Sequence, residues 1–319
     1  VRATEARLLV ASHADCALHE PFPGHPERAR RLAAAGAGAA AAGAREAAVT
    51  VAEEAALDAV LRVHAPELPA RLRAACERAP RTFDSDDNPI SGGTYRAAVA
   101  AVATCLAGVE LAAGTGGGGP LRFFAAVRPP GHHATRARAM GFCFFNNAAI
   151  AAEALLARGL APVAVVDFDV HHGNGTQDHF YARDDVFFLS LHAWPEYPGS
   201  GGGDEVGRGA GRGFTRNLPL ARGADDDVYA GALVTGVTEV LRAMRPAAWV
   251  VSAGFDAHRD DPIGCMRVSE KGFGAIGSTL AQAAGESPVI AVLEGGYDPK
   301  ALQGSVRAFL AGLNGSAAS

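Results

Sequence analysis

Residues 163 to 174 read Val-Ala-Val-Val-Asp-Phe-Asp-Val-His-His-Gly-Asn, which places Asp167, Asp169, His171, His172 and Asn174 within eight positions. The apolar run of Val163, Val165 and Val166 has the composition of a buried strand, so these polar residues stand at its carboxyl end. Successive side chains of a strand point to opposite faces, which directs Asp167, Asp169 and His171 one way and Phe168 and Val170 the other. Three polar groups gathered beside an apolar core are costly unless something binds them. A divalent metal does so, and carboxylates with an imidazole suit zinc.

Three more clusters carry complementary chemistry. Arg128-Pro129-Pro130-Gly131-His132-His133 is a rigid loop that presents two adjacent histidines directly after a strand. Gly254-Phe255-Asp256 and Glu294-Gly295-Gly296-Tyr297 each follow another strand. Asp169, His171 and Asp256 make a zinc site of two carboxylates and one imidazole with a position left open, and an open position points to catalysis, with hydrolysis of an amide or ester as the natural reaction. The paired histidines suit proton transfer. Asp167 and Asn174 are available as their partners, and a carboxylate favours imidazolium where an amide does not, so two different partners tune the rings differently. Tyr297 can set its phenol on a developing oxyanion opposite the metal. Each piece alone has a plainer reading: a structural Asp-x-Asp-x-His-His loop, a stiff turn with satisfied rings, a helix cap at Asp256, a packing tyrosine. Their joint occurrence at strand ends favours chemistry.

The elements that must position these groups alternate. Leu8 to Ala11 reads as a first strand, followed by a loop in which His19 and His25 pack or cap. Helices are predicted over 29 to 47 and 66 to 79, with a short strand from Val60 to His64 between them. Thr82 to Gly93 reads as a polar loop whose acids Asp84, Asp86 and Asp87 face solvent. A small-residue helix spans Thr94 to Ala113, Gly114 to Gly119 form a turn, and Leu121 to Val127 a strand. A helix over Asn146 to Arg158 leads into the strand at 163. Val186 to His192, Ala248 to Ala253 and Val289 to Leu293 are further strands. Residues 194 to 213 form a Gly-rich loop, and helices occupy Val228 to Met244, Lys271 to Ala284 and Pro299 to Leu313. Alternating strands and helices predict a doubly wound α/β fold with a parallel sheet, in which strand ends line one edge and clusters over a hundred positions apart converge.

A chain of 319 residues with 49% hydrophobic content can bury a large core, and it reads as a single domain over 1–319. The net charge of −5 argues against nucleic acid and anionic membrane surfaces. Only Lys271 and Lys300 are lysines, a bias that looks like codon usage. Five scattered cysteines, Cys16, Cys76, Cys105, Cys143 and Cys265, lack a CxxC pair, so reduced thiols and a cytoplasmic location are expected. Neither a leader nor an apolar run of about 18 residues is evident, and no membrane span is expected.

At these residues the chain resembles the histone deacetylase family of the arginase-deacetylase superfamily, especially its class II members and their bacterial relatives. The matching stretches are Arg128 to His133 with Gly141 to Asn147, Asp167 to Gln177, Ser190 to His192, Gly254 to Pro262 and Glu294 to Tyr297, together with His25 to Arg28. The resemblance implies an open, mainly parallel eight-stranded sheet sandwiched between helices, the arginase-deacetylase fold. It assigns one zinc ion to Asp169, His171 and Asp256, pairs His132 with Asp167, and makes His133, paired with Asn174, the general base and Tyr297 the catalytic tyrosine. Gly141, Phe142 and Tyr197 resemble walls of an acyl-lysine channel, with Gly295 beside them, and Asp87 resembles a rim aspartate. A potassium or sodium ion is implied at Asp167 and Ser190 with backbone of Asp169, His171 and Leu191. A second is implied at Phe180, Arg183, Val186 and Phe214.

The expected activity is removal of acetyl or another short acyl group from an amine, acetyl-lysine in protein or an acetylpolyamine-like molecule. Two alternatives stand beside it, an arginase-like dimanganese ureohydrolase and a catalytically silent acyl-lysine-binding module. The loop from Trp194 to Gly213 is expected to set selectivity. Oligomeric state is not encoded in any motif.

Overall fold

The computed structural model describes residues 7–78, 81–114 and 119–315. In chain order the first elements are β1 (Arg7–Ala11), α1 (Arg30–Ala41), β2 (Arg45–Glu46), α2 (Glu53–Val63) and α3 (Glu67–Arg78). A hairpin follows, β3 (Thr82–Phe83) and β4 (Ser85–Pro89), then α4 (Thr94–Ala113), β5 (Leu121–Ala125) and α5 (Asn147–Ala157). Next come β6 (Val163–Asp167), α6 (Asn174–Phe180), β7 (Val186–Ala193), β8 (Thr215–Leu220) and α7 (Asp226–Ala243). The last elements are β9 (Ala248–Ala253), α8 (Glu270–Ala284), β10 (Val289–Leu293) and α9 (Pro299–Leu313).

Among the described residues, eight strands form one parallel sheet in the order β2-β1-β5-β10-β9-β6-β7-β8. Its central strands are apolar on both faces because helices cover both. Phe123, Val165, Phe188, Val250 and Ile290 pack with α2, α3, α4 and α5, while Phe124, Val166, Leu189, Val251 and Ala291 pack with α1, α7, α8 and α9. The eight-stranded α/β architecture expected from the sequence is therefore present. Moreover, the four strands that precede the polar clusters, β5, β10, β9 and β6, are consecutive neighbours in the sheet. Parallel strands share one carboxyl edge, so all four clusters emerge side by side.

Several local expectations need correction. Val60 to His64 is not a strand but the last turn of α2, where Ala56, Ala59, Val60 and Val63 are buried at helical spacing. Thr82 to Gly93 is not a solvated loop, since β3 and β4 pair antiparallel within it. The strand at 163 ends at Asp167, so Asp169 and His171 lie on the turn that follows. The alternation nonetheless persists, with Phe168 and Val170 in the core. Edge strands β2 and β8 lacked an apolar pattern, β8 reading Thr-Arg-Asn-Leu-Pro-Leu. The turn expected over Gly114 to Gly119 lies largely outside the described residues. Helix α4 is long and apolar enough to cross a membrane by length and composition alone, and it lies mostly buried against the sheet and neighbouring helices.

Candidate active site

Asp169 and His171 are carried by the turn after β6, and Asp256 by the turn after β9. Their donor atoms come within 4.8 Å of one another. His171 Nδ1 lies 3.2 Å from Asp169 Oδ1 and 3.3 Å from Asp256 Oδ2. Backbone donors hold the carboxylates in place: Val170 N–H donates to Asp256 Oδ1 at 2.9 Å, and Gly295 N–H to Asp169 Oδ2 at 2.8 Å. Asp256 Oδ2 is buried and makes no hydrogen bond of acceptable geometry. Two buried carboxylates this close cannot both ionise freely. Burial and the neighbouring Asp169 push Asp256 up, while Asp169 is held down against its burial by His132 and His171. A divalent cation among the three groups would satisfy the orphaned oxygen and relieve this repulsion, so the donor set fits zinc.

Beside this cluster stand the two histidines, their ring centroids 4.0 Å apart. They sit on the loop after β5, where the buried Glu294 Oε2 accepts Gly131 N–H at 2.6 Å and His132 N–H at 3.2 Å. His132 Nδ1 donates to Asp167 Oδ2 at 3.0 Å, and His133 Nδ1 donates to Asn174 Oδ1 at 2.8 Å. The rings are accordingly tuned apart. Burial alone would keep His132 neutral, but Asp167 and Asp169 push it up to about 10. His133 is driven well below the usual imidazole range by burial and by the neighbouring rings of His132 and His171, its amide partner offering little to offset them.

Tyr297 completes the ring of groups. Its backbone N–H donates to Asp261 Oδ2 at 2.6 Å, and the Arg31 guanidinium lies 4.8 Å from its ring centroid. Burial pushes the phenol well above its usual range despite Arg31, so it stays a proton donor. Asp87, Gly141, Phe142, Tyr197 and Gly295 line one cavity of about 220 Å³ with Pro130, His132, His133, His171, Ile263 and Tyr297. A Cβ on Gly295 would stand 2.0 Å from Asp256 Oδ2, and one on Gly141 2.4 Å from His133 Cδ2, so both glycines make room for chemistry.

Of the residues expected to hold monovalent ions, Asp167 stands opposite Ser190 in the sheet register, and Leu191 follows. Phe180 and Phe214 offer carbonyls that already accept backbone N–H groups from Arg183 and Phe188. Val186 opens β7, which follows that turn. His172, in the opening cluster, turns away, lying 2.9 Å from Ser200 Oγ and 3.0 Å from Gln177 Oε1.

Sequence reasoning gave no role to the buried supports Glu294, Asp261, Arg31, Glu27 and Arg128. Glu27 pairs with Arg128 through two 2.6 Å bonds and with Arg31 at 2.9 Å. Arg31 Nε reaches Gly296 O at 2.6 Å. The available signal was the Glu27 to Arg31 spacing of four at a helix start, which a surface pair would share.

A family model described as the histone deacetylase domain matches residues 25–313. The chain is 41% identical over 248 residues to an acetylpolyamine amidohydrolase of Burkholderia pseudomallei, covering 77% of this chain and 70% of that protein. It is 40% identical over 234 residues to the acetylpolyamine amidohydrolase of Mycoplana ramosa, covering 72% and 66%. Its fold superposes on the crystal structure of the HDA15 HD domain with a TM-score of 0.88 and 33% identity, over 99% of this chain and 90% of that one. The chain belongs to the histone deacetylase family.

Proposed function

We propose that this protein is a zinc-dependent amidohydrolase that removes acetyl or another short acyl group from an amine. The observation that carries it is that His171, clustered with Asp169 and Asp256, lines one cavity with His132, His133 and Tyr297. Asp169, His171 and Asp256 would hold the zinc ion, which would supply Lewis acidity for a water and for the amide carbonyl. His133, with Nδ1 committed to Asn174, keeps Nε2 for the water's proton. Tyr297 donates its phenolic O–H to the carbonyl oxygen as charge develops there. His132, held as imidazolium by Asp167, balances that charge, and one of the two histidines returns a proton to the leaving amine.

Names of the relatives support an acylated amine as substrate, an acetylpolyamine or an acyl-lysine. The walls at Gly141, Phe142 and Tyr197 would grip its alkyl chain. Potassium or sodium at Asp167 and Ser190, and at the Phe180 to Val186 turn with Phe214, would stiffen the ligand turn. Free cysteines throughout support a reducing, cytoplasmic setting.

Metal analysis and a substrate panel test this reading together. We expect one zinc per chain, loss of turnover of acetyl-lysine peptides or acetylpolyamines after chelation, and recovery with zinc. Two tightly bound manganese ions with urea release, or acyl-lysine binding without turnover, would overturn it.

A further inference from the structure

The β3–β4 hairpin commits its polar side chains to the turn that forms one wall of the cavity. Asp84 Oδ2 accepts Ala139 N–H at 3.0 Å, and Asp87 Oδ2 accepts Gly141 N–H at 3.1 Å. Asn88 Oδ1 accepts Phe142 N–H at 2.6 Å, and Asn88 Nδ2 donates to Cys143 O at 3.2 Å. Gly141 and Phe142 have φ of 58° and 66°, a region that a phenylalanine occupies only when its surroundings hold it there. The hairpin is thus a clamp on the wall.

From the opposite wall Tyr197 reaches the same clamp. Its O–H donates to Asp87 Oδ2 at 3.0 Å, while its ring stands edge-on to His133 and His171 at centroid distances of 5.1 Å and 6.0 Å. A Cβ placed on Gly141 would lie 3.0 Å from that hydroxyl, so the walls meet where the bond spans them. Ser85 Oγ donates to the other oxygen of Asp87. A carboxylate offers about four acceptor positions, and this chain fills three of them itself.

We propose that Tyr197 and Asp87 form a latch across the cavity mouth that selects slender free acyl-amines against acyl-lysines held within a peptide. A peptide brings two stretches of backbone that must rest on the rim, where they compete with the tyrosine for space and with its hydroxyl for the carboxylate. A free acyl-amine has no such backbone and passes the gap that remains. The latch rests on the acyl-amine reading above and narrows it to a substrate class.

The test compares N-acetylputrescine with a capped acetyl-lysine tripeptide on zinc-loaded wild type, Tyr197→Phe and Asp87→Asn, measuring kcat/KM and, by calorimetry, Kd. Tyr197→Phe keeps the ring against both histidines and removes only the bond. We expect the peptide-to-amine ratio of kcat/KM to rise about tenfold in Tyr197→Phe, through KM rather than kcat, and not to rise in Asp87→Asn, whose Oδ1 can still accept the tyrosine O–H while the peptide loses the carboxylate charge. A ratio in Tyr197→Phe within about twofold of wild type, or an equal fall for both substrates in that variant, overturns the latch. If wild type hydrolyses neither probe, the hydrolase reading fails and the ratio of Kd values decides the latch in its place. Binding of neither probe overturns the latch as well.

Discussion

At the residue scale, the site works by giving chemically similar groups different surroundings. His132 and His133 are adjacent, yet one leans on a carboxylate and the other on an amide, and their proton affinities separate accordingly. Tyr297 is kept neutral by burial and so remains a donor. Tyr297→Phe should reduce kcat on a fluorogenic acyl-lysine substrate by about 10²-fold or more with zinc content unchanged, the loss seen when one oxyanion donor is removed. Gly295→Ala should act differently. Its Cβ would intrude on Asp256 Oδ2 at 2.0 Å and on Asp169 Oδ2 at 2.7 Å. Metal analysis after gel filtration should therefore find substoichiometric zinc; a full equivalent would show that the carboxylates can shift aside.

At the scale of elements, the site depends on turns from distant strands being tied to one another. Glu27, just before α1, bonds Arg128 on the turn after β5 and Arg31 in α1, which in turn reaches the carbonyls of Glu294 and Gly296 after β10. Burial would raise the Glu27 pKa, but Arg128 first and then Arg31 hold it down at about 2. A carboxyl depressed from 4.5 in the unfolded chain contributes stability that is complete above pH 4.5 and is lost as pH falls towards 2. Glu27→Gln leaves two buried guanidiniums without their counter-charge. We expect it to destabilise the fold by about 3–5 kcal/mol in chemical denaturation and to flatten the acid limb between pH 4.5 and 2. An unchanged acid limb would show that Glu27 is not the group titrating there.

At the scale of the whole molecule, burial keeps histidines without a close carboxylate partner neutral, His64 among them. His64 Nδ1 lies 2.8 Å from Thr135 O and its Nε2 accepts Asn146 N–H at 2.8 Å, an arrangement that needs the neutral ring. Burial lowers both His64 and His19 from 6.5 to about 4. For a base depressed on folding, the unfolded chain takes up the proton first. Stability is therefore complete above pH 6.5 and falls as pH drops towards 4, by about 1.4 kcal/mol per pH unit for each such histidine. Glu294, raised by burial to about 7, contributes with the opposite sign as pH falls, so the His64 contribution is read from the difference between wild type and a variant in thermal unfolding across this window. In His64→Gln, which can accept from Asn146 without titrating, Tm should fall less with decreasing pH than in wild type; an identical slope would remove His64 from the account.

How much of this was legible in the chain follows from the range of the forces involved. Apolar runs at Val163, Val186, Ala248 and Val289 mark central strands because burial on both faces demands unbroken hydrophobic sequence, and Asp169, His171 and Asp256 stand out because metal-ligand types at strand ends are costly without a function. The edge strands β2 and β8 and the hairpin β3–β4 were not legible, since at an edge one side of the backbone needs no partner and no apolar pattern is required. Val60 and Val63 suggested a strand by type and became helix by packing. By itself, the sequence determined the alternating α/β plan and the residue types of the site, because periodicity and ligand chemistry are local. Only the tertiary structure decided that β5, β10, β9 and β6 are neighbours, that Glu27 and Arg31 brace the turns beside the site, and that Asp87 is bonded to both walls of the cavity rather than left to solvent. Apart from the local Glu27–Arg31 contact, those pairings join residues about 40 to more than 250 positions apart, and no local pattern encodes a contact whose partners meet only once the sheet has closed around them.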